Sequence, residues 1–275
     1  MIGKTAAYTI CKNEISYIKK WLYYTQNFDY RVILDTGSTD GTYEEFKKHS
    51  NVIVEQKIFE PWRFDVARNY NLAMVPEDVV WCLSPDLDEY FSINVLSEMQ
   101  KTIKLYPNVT NISCDRLDIY SNVVRVGPPK QLGSNKIHRH FDYIWKSPIY
   151  EHLSWVHKDI PEVEIYNDDI YLVHDQDITK PRSSLYFDML VDQYKKEPSD
   201  IWCLWFLVNH YYINQDLLNF IQTGCDYIKY STSSDSKYIE IKNELTNIVF
   251  NSDIDNSMKD YIRNILICKE PWSNI

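Results

Sequence analysis

Residues 79–89 read Val-Val-Trp-Cys-Leu-Ser-Pro-Asp-Leu-Asp-Glu, an apolar run that stops at three carboxylates. A short apolar run bounded by Ser and Pro is typical of a buried strand that ends in a loop. The same order occurs twice upstream, where residues 5–11 precede Lys12-Asn13-Glu14 and residues 31–34 precede Asp35-Thr36-Gly37-Ser38-Thr39-Asp40-Gly41-Thr42. Three predicted strands therefore each end in a polar cluster.

The stretches between these runs have helical spacing. Apolar residues recur three or four apart in residues 15–22, and helices are also expected at 43–49 and 65–73, with a further short strand at 52–54. Strands alternating with helices predict an α/β fold with a mostly parallel, Rossmann-like central sheet flanked by helices. Such sheets bind ligands beyond the carboxyl ends of their strands, where the polar clusters fall.

The second half of the chain changes character. Residues 111–119, 136–141 and 171–174 are β-prone and are expected to extend the sheet. From Pro181 onward the chain predicts successive helices, at 186–194, 202–212, 217–230, 238–250 and 258–267. We therefore expect a domain over residues 1–180 and a C-terminal all-helical region over residues 181–275.

Composition narrows the classes of partner. The 275-residue chain carries a formal net charge of -10, which argues against nucleic acid as the default partner. Its six cysteines form no C-x-x-C motif, so free thiols in a reducing cytosol are the simpler interpretation. No segment approaches the roughly 18 apolar residues of a membrane span. We expect a cytoplasmic protein without a membrane span, and a homodimer stays open.

The acidic cluster after the strand at 79–83 has two interpretations. Residues two apart in an extended segment project to one side, so Asp86 and Asp88 could jointly face a hard divalent cation. Alternatively, the cluster is an acidic turn that caps the next helix through Asp88 or Ser92. The glycine-containing turn from Asp35 likewise either caps a helix or offers a carboxylate to the donors of a uridine.

Asp65 and Arg68 lie three apart on one face of a predicted helix. They could pair with each other, as residues at this spacing do. In the alternative interpretation, Arg68 directs its planar fork at phosphate or nucleoside oxygens.

Four of these stretches, taken in order, resemble a known family. They are Lys12-Asn13-Glu14, residues 35–42, Phe-Asp-Val-Ala-Arg-Asn at 64–69, and Asp-Leu-Asp-Glu at 86–89. Together they look like family 2 glycosyltransferases of the GT-A fold, most of all the branch with lipopolysaccharide-core glucosyltransferases and bacteriocin S-glycosyltransferases. The resemblance continues more weakly through residues 138–141, 149–153 and 172–174.

This resemblance implies a hexosyltransferase that takes its sugar from a nucleotide-diphosphate sugar, with a UDP-sugar as the first choice. It also implies a divalent metal, Mn²⁺ or Mg²⁺, and transfer with inversion to a glycan, peptide or small-molecule acceptor. Asp86 and Asp88 would form the D-x-D pair, in which Asp88 touches the metal most directly. His174 would add a metal or diphosphate contact, although a core histidine at a strand end is an equal alternative.

The resemblance also assigns the donor site. It places Asp35 and Arg68 at the nucleoside, with Glu14 and Asp65 close by. Lys180 and Arg182 would lie on a basic segment that reaches the phosphates.

An inverting transfer needs a general base near the acceptor and apart from the metal. Glu151 is our choice, with a solvated loop residue as the plain alternative. The resembling branch commonly has His-Glu after a small residue where this chain has Tyr150-Glu151-His152. Glu89 and His152 therefore stay open as candidates for the base.

Two other functions compete with sugar transfer. A degenerate transferase domain could act as a binding module whose helical region recruits a protein. A nucleotidyltransferase would share the sheet and the metal, but residues 9–12 contain no glycine-rich phosphate loop of the kind that such enzymes use.

Overall fold

The computed structural model describes residues 3–120, 123–126, 134–176, 185–232 and 236–268. Cα packing divides the chain into two compact units, Met1–Pro181 and Arg182–Ile275. Each is described by itself.

Unit 1 consists of strands and short helices. Its strands are β1 (Lys4–Cys11), β2 (Tyr30–Asp35), β3 (Ile53–Gln56), β4 (Val79–Leu83), β5 (Glu89–Phe91), β6 (Asn111–Tyr120), β7 (Val123–Val126), β8 (Ser134–Arg139), β9 (Tyr143–Lys146), β10 (His152–Trp155) and β11 (Glu164–Gln176). Its α-helices are α1 (Ile18–Tyr24), α2 (Thr42–Phe46), α3 (Phe64–Ala73) and α4 (Val95–Leu105), and short 3₁₀ turns cover Ile15–Tyr17 and His140–Asp142.

The central sheet has the order β3-β2-β1-β4-β8-β6-β11-β5, with β7 added to β6. Strands β3, β2, β1 and β4 are parallel, so their carboxyl ends meet at one edge. Beyond β4 the sheet is mixed, because β8 runs antiparallel to both β4 and β6 while β11 runs parallel to β6. The α/β fold class is thus confirmed, and the parallel order holds in the first half of the sheet. Strands β9 and β10 form a separate hairpin.

Apolar side chains cover both faces of this sheet. One face packs Ile33, Leu83 and Ile112 against helix residues such as Trp21 and Met99. The opposite face packs Ala6, Val32 and Cys82 with Leu72 of α3 and Trp145 of β9. Each large side chain buried in this way contributes about 1.5–3 kcal/mol, and the two layers hold the strand ends in fixed positions.

Unit 2 is all-helical over its described residues. Its helices are α5 (Leu185–Lys196), α6 (Ile201–Ile213), α7 (Leu217–Tyr230), α8 (Ser236–Asn251) and α9 (Asn256–Cys268). Asp200 and Asp216 cap α6 and α7 by accepting hydrogen bonds from Cys203 N–H and Asn219 N–H. Leu204, Phe220, Ile228, Leu245 and Ile262 belong to the buried core of this unit.

Two further sequence expectations concern the cysteines and membrane spans. Among the described side chains, the thiols of Cys11, Cys82, Cys114, Cys203 and Cys225 are free and buried. In the part of the chain that the structure describes, no helix combines the length and apolar character needed to cross a bilayer.

Candidate active site

The polar loops after β1 and β2 interlock at the carboxyl edge of the sheet. Asn13, with a positive φ of 56°, accepts a 2.7 Å hydrogen bond from Thr39 N–H through Oδ1. Its own N–H donates to Ser38 Oγ at 2.8 Å, and Glu14 N–H donates to Thr42 Oγ at 2.9 Å. The loop carrying Glu14 is therefore fixed against the loop that begins at Asp35.

Asp35 organises the second of these loops. The residue is fully buried, and its Oδ1 accepts hydrogen bonds from Gly37 N–H, Ser38 N–H and Gln56 Nε2 at 2.8–2.9 Å. The neighbour of Oδ2 is the Cys11 thiol at 3.7 Å. One carboxylate oxygen thus shapes the turn, and the other faces a weak donor.

Helix α3 presents Asp65 and Arg68, which do not pair with each other. Arg63 binds Asp65 in a bidentate pair, with Nε–Oδ1 and Nη2–Oδ2 distances of 3.0 and 2.7 Å. Arg68 turns instead towards the end of β4. Its Nη2 donates to Asp86 at 2.8 Å, and its Nε donates to Glu151 at 2.5 Å. Of the two interpretations of this helix face, the one with internal pairing is not observed.

Arg68 is held on several sides. Its side chain is 6% exposed, and its guanidinium carbon lies 4.7 Å from the centre of the Trp145 ring. Among the described residues, its buried Nη1 has no hydrogen-bond partner. Buried donors normally have one, so this nitrogen marks a position where a further acceptor would fit.

Asp86 lies between two cations. Its Oδ1 accepts from Arg68, and its Oδ2 accepts from Lys136 Nζ at 2.9 Å. Burial by itself would raise the pKa of Asp86, but the charges of Arg68 and Lys136 outweigh it and hold that pKa well below its usual range. Asp86 is therefore ionised and has a cation on each oxygen.

Glu89 is a structural partner of the same cations. It is 2% exposed, accepts from Asp86 N–H at 2.9 Å, and is bound by the Lys136 ammonium. Arg116 Nη1 lies 3.7 Å from its other oxygen. An acceptor nucleophile has no access to a carboxylate buried in this way, so the geometry disfavours Glu89 as the general base.

Asp88 and His174 form the other half of the site. Asp88 Oδ2 lies 3.4 Å from His174 Nε2. The backbones are joined as well, since Asp175 N–H donates to the Asp88 carbonyl at 2.8 Å. Burial would lower the pKa of His174, but the Asp88 carboxylate outweighs it and raises that pKa above its ordinary value.

These side chains form one continuous charge network, in which each contact joins an acid to a base. In order, its members are Glu151, Arg68, Asp86, Lys136, Glu89, Arg116, Asp118, His174 and Asp88. Its five carboxylates face three permanent cations, which leaves a net charge of -2 when His174 is neutral. The network therefore carries a net negative charge.

Three members of this network were not candidates from the sequence, namely Lys136, Arg116 and Asp118. Strand β8 pairs with β4, and Ser84 N–H donates to the Lys136 carbonyl at 3.0 Å, which brings Lys136 beside Asp86. Arg116 and Asp118 lie on β6, which pairs with β11, the strand that carries His174. No local motif marks these positions, because pairing between distant strands creates the contacts.

The predicted residues fall into separate groups. Arg68, Asp86 and Glu151 are joined directly, as are Asp88 and His174, whereas no hydrogen bond or ion pair of the described residues joins Asp35 or Asp65 to them. Glu14 lies on the loop next to Asp35. Lys180 and Arg182 lie outside the described residues.

Of the comparisons with known proteins, the one with solved structures gives matches. No protein-family model matches the chain, and no curated protein sequence matches it. Among solved structures, S. aureus TarS 1-349 in complex with UDP-GlcNAc has a TM-score of 0.54 at 14% identity, covering 97% of this chain and 89% of that one. A second structure of S. aureus TarS 1-349 has a TM-score of 0.52 at 15% identity, covering 97% of this chain and 88% of that one.

At this identity the likeness defines the fold alone. The chain has a glycosyltransferase-like fold of the GT-A type: a Rossmann-like central sheet flanked by helices, followed by a helical region.

Proposed function

We propose that the protein is a glycosyltransferase that moves a sugar from a nucleotide-diphosphate sugar, with a UDP-sugar as the first choice, to an acceptor nucleophile. One observation carries the proposal. Arg68, Asp86 and Glu151 come from three distant segments and meet at the carboxyl end of β4, next to Asp88 and His174. The fold supports it, because TarS with the same fold was solved with UDP-GlcNAc, and sheets of this type bind ligands at their carboxyl edge.

In this proposal the nucleoside lies along the loops after β1, β2 and β3. Asp35 would accept from the base through Oδ2, since Oδ1 is committed to the loop. Arg68 would offer its unpartnered Nη1 to a ribose or phosphate oxygen. Glu14 and Asp65 stand on the adjoining loop and helix.

A divalent metal fits the donor atoms in part. Within the described ranges, no three acidic, His or Cys side chains form a metal-binding group. Mg²⁺ sites in phosphate-transferring enzymes commonly use one or two carboxylates plus substrate phosphates. Asp88 could supply one carboxylate, and His174 lies beside it. Asp86 already has a cation on each oxygen. We therefore assign Mn²⁺ or Mg²⁺ to Asp88 and His174, with Asp86 holding Arg68 and Lys136. Such a metal would stabilise the charge on the departing diphosphate.

Glu151 is the proposed general base. In the described residues it pairs with Arg68 and not with Asp88, and its side chain is 11% exposed. In a single displacement, Glu151 takes a proton from the acceptor, the acceptor bonds to the anomeric carbon, and the bond from that carbon to the diphosphate oxygen breaks. The sugar then has inverted configuration. Before it can act, Glu151 must exchange its bond to Arg68 for one to the acceptor.

Several finer points belong to the same proposal. The acceptor would be a glycan, peptide or small molecule, because the net charge of -10 disfavours nucleic acid. The five buried thiols suit the cytoplasm. The units Met1–Pro181 and Arg182–Ile275 would be the catalytic domain and a helical appendage.

A ligand-binding panel tests the proposal. UDP, GDP, CMP and UDP-sugars are titrated calorimetrically with Mn²⁺, Mg²⁺ or chelator into the wild type, Asp88→Asn and the control Asp192→Asn, whose carboxylate is 66% exposed on α5. We expect metal-dependent binding of one nucleoside diphosphate that is lost in Asp88→Asn alone. Absence of nucleotide binding in the wild type would favour the binding-module alternative.

A further inference from the structure

Trp145 is fastened from two directions. Its main chain pairs with the side-chain amide of Asn69, which accepts from Trp145 N–H and donates to the Trp145 carbonyl, both at 2.8 Å. Its indole Nε1–H donates to the Tyr8 hydroxyl at 2.8 Å. Asn69 follows Arg68 on α3, and Tyr8 lies on β1. The buried ring is thus attached both to the helix that carries Arg68 and to the central sheet.

The bond from Trp145 to Tyr8 continues into the sheet and has one direction. His138 Nδ1 lies 3.0 Å from the Arg139 carbonyl, which only accepts, so Nδ1 carries the ring proton. Burial lowers the pKa of His138 to about 4, so the ring is neutral near pH 7 and its Nε2 accepts. The Tyr8 O–H therefore donates to His138 Nε2 at 2.9 Å and accepts from Trp145. This chain of hydrogen bonds holds the indole in one orientation.

The Trp145 ring is a contact of Arg68 that the transfer reaction leaves intact. The guanidinium lies over this ring at 4.7 Å and is bonded to Asp86 and Glu151. In the proposed function, Glu151 leaves Arg68 for the acceptor. Among the described residues, that leaves Asp86 as the hydrogen-bond partner of Arg68, and a planar group bonded through one nitrogen can turn about that bond. The aromatic ring opposes such a turn, because a guanidinium packs favourably against an aromatic face.

We propose that Trp145 is a positioning residue that keeps Nη1 of Arg68 directed at the donor while Glu151 is bonded to the acceptor. The inference rests on the proposed function, because it uses the donor contact assigned to Nη1 and the base assigned to Glu151. Trp145 and Glu151 then hold Arg68 in parallel. Either one is sufficient to keep the guanidinium in place, and the loss of both releases it.

A double-variant cycle on the full chain tests this role. UDP with Mg²⁺ is titrated calorimetrically into the wild type, Trp145→Leu, Glu151→Ala and the double variant. Glu151→Ala reproduces the departure of Glu151 from Arg68, and each single variant should bind UDP nearly as tightly as the wild type. The double variant should bind UDP about 5- to 30-fold more weakly than the two single losses combined predict, the factor that corresponds to a desolvated cation–π contact. A merely structural role of Trp145 would give additive losses.

Two further variants separate the aromatic face from the packing of the core. Trp145→Phe lacks the indole N–H, as Trp145→Leu does, but keeps an aromatic face for Arg68, so its coupling with Glu151→Ala should be much smaller. Tyr8→Phe keeps the Trp145 ring and removes the hydroxyl that anchors it, so its coupling should have the same sign as that of Trp145→Leu and a smaller size. Thermal unfolding verifies that each variant is folded. If Trp145→Leu does not fold, Tyr8→Phe decides, and additive losses with Glu151→Ala would then refute the inference.

The same hairpin offers a matched control. Trp155 on β10 also donates its indole N–H to an oxygen, the Ile160 carbonyl at 2.8 Å, and its ring packs edge-on against Tyr143. Trp155→Leu removes as much aromatic surface from the hairpin, and its losses with Glu151→Ala should be additive.

Two results would overturn the inference. One is additive losses for Trp145→Leu and Glu151→Ala, and the other is a coupling in Trp145→Phe as large as that in Trp145→Leu. If the wild type binds UDP in either case, the proposed function stands and this inference falls. If the wild type binds no nucleoside diphosphate, both fall.

Discussion

Replacing Lys136 by Met tests the charge network through stability. Lys136 is the shared partner of Asp86 and Glu89, and its side chain is 16% exposed while that of Glu89 is 2% exposed. Removing one partner of a buried ion pair costs about 3–5 kcal/mol, because it leaves an uncompensated charge. We expect the lower end, about 3 kcal/mol, since Arg116 remains 3.7 Å from Glu89 and Lys136 is partly exposed.

The double variant Lys136→Met/Glu89→Gln separates charge from packing. Without the Glu89 charge, most of the penalty should disappear and leave a loss of about 1 kcal/mol. The coupling energy is the loss in the double variant minus the losses in Lys136→Met and Glu89→Gln. Its size should therefore be at least about 2 kcal/mol, as found for residues in contact. Hydrogen exchange of peptides that cover β4, measured across a urea titration, reports unit 1 without interference from unit 2.

A matched lysine provides the control. Lys48 pairs with Glu45 at 2.6 Å, and the side chains are 66% and 30% exposed. Lys48→Met should leave the free energy of unfolding nearly unchanged, because neither charge is buried. If Lys136→Met were equally mild, or if the double variant lost as much as the two single variants summed, Lys136 would not neutralise a buried acid.

Three other predictions concern individual residues of unit 1. Asp88→Asn should abolish Mn²⁺ binding measured by electron paramagnetic resonance. Asp86→Asn should still bind Mn²⁺ but bind UDP more weakly, because Asp86 is paired with Arg68. Equal loss of Mn²⁺ binding in both variants would contradict this division of roles. Glu151→Gln should lower kcat about 10²- to 10⁴-fold with little change in donor affinity, and a kcat close to wild type would assign the base elsewhere. Burial lowers the pKa of His138 to about 4, so between about pH 6.5 and 4 the unfolded chain binds a proton that the folded chain does not. The free energy of unfolding should therefore fall by about 3 kcal/mol as pH drops through this window. If His138→Gln showed the same dependence of stability on pH as the wild type, this explanation would be wrong.

The parallel strands and the C-terminal helices were predictable because apolar runs and helical spacing are local features of the sequence. Residues 79–83 form β4 with the predicted bounds, and residues 217–230 form α7 likewise. The polar clusters after β1, β2 and β4 follow from the strands directly, since parallel strands end at one edge.

The rest of the site depends on contacts between distant segments. From the sequence, Arg68 could pair with the nearby Asp65 or with a distant group. Only the folded chain shows that it pairs with Asp86 and Glu151. Lys136 follows a stretch without a recognisable motif, and it meets Asp86 because β8 inserts beside β4. Asp86 and Asp88 also face different partners, because Glu89 accepts from Asp86 N–H and turns the segment between them. The interpretation that Asp86 and Asp88 project to one side assumed an extended segment, and the segment turns instead.

The most direct test of the central claim is ³¹P NMR of each UDP-sugar incubated with the wild-type protein and diamagnetic Mg²⁺, with water or added nucleophiles as acceptors. We predict a slow, metal-stimulated release of free UDP from one UDP-sugar that Asp88→Asn does not catalyse. Release of pyrophosphate would identify a nucleotidyltransferase. UDP-sugars left intact in every reaction, with no nucleotide bound, would contradict the assignment as a glycosyltransferase.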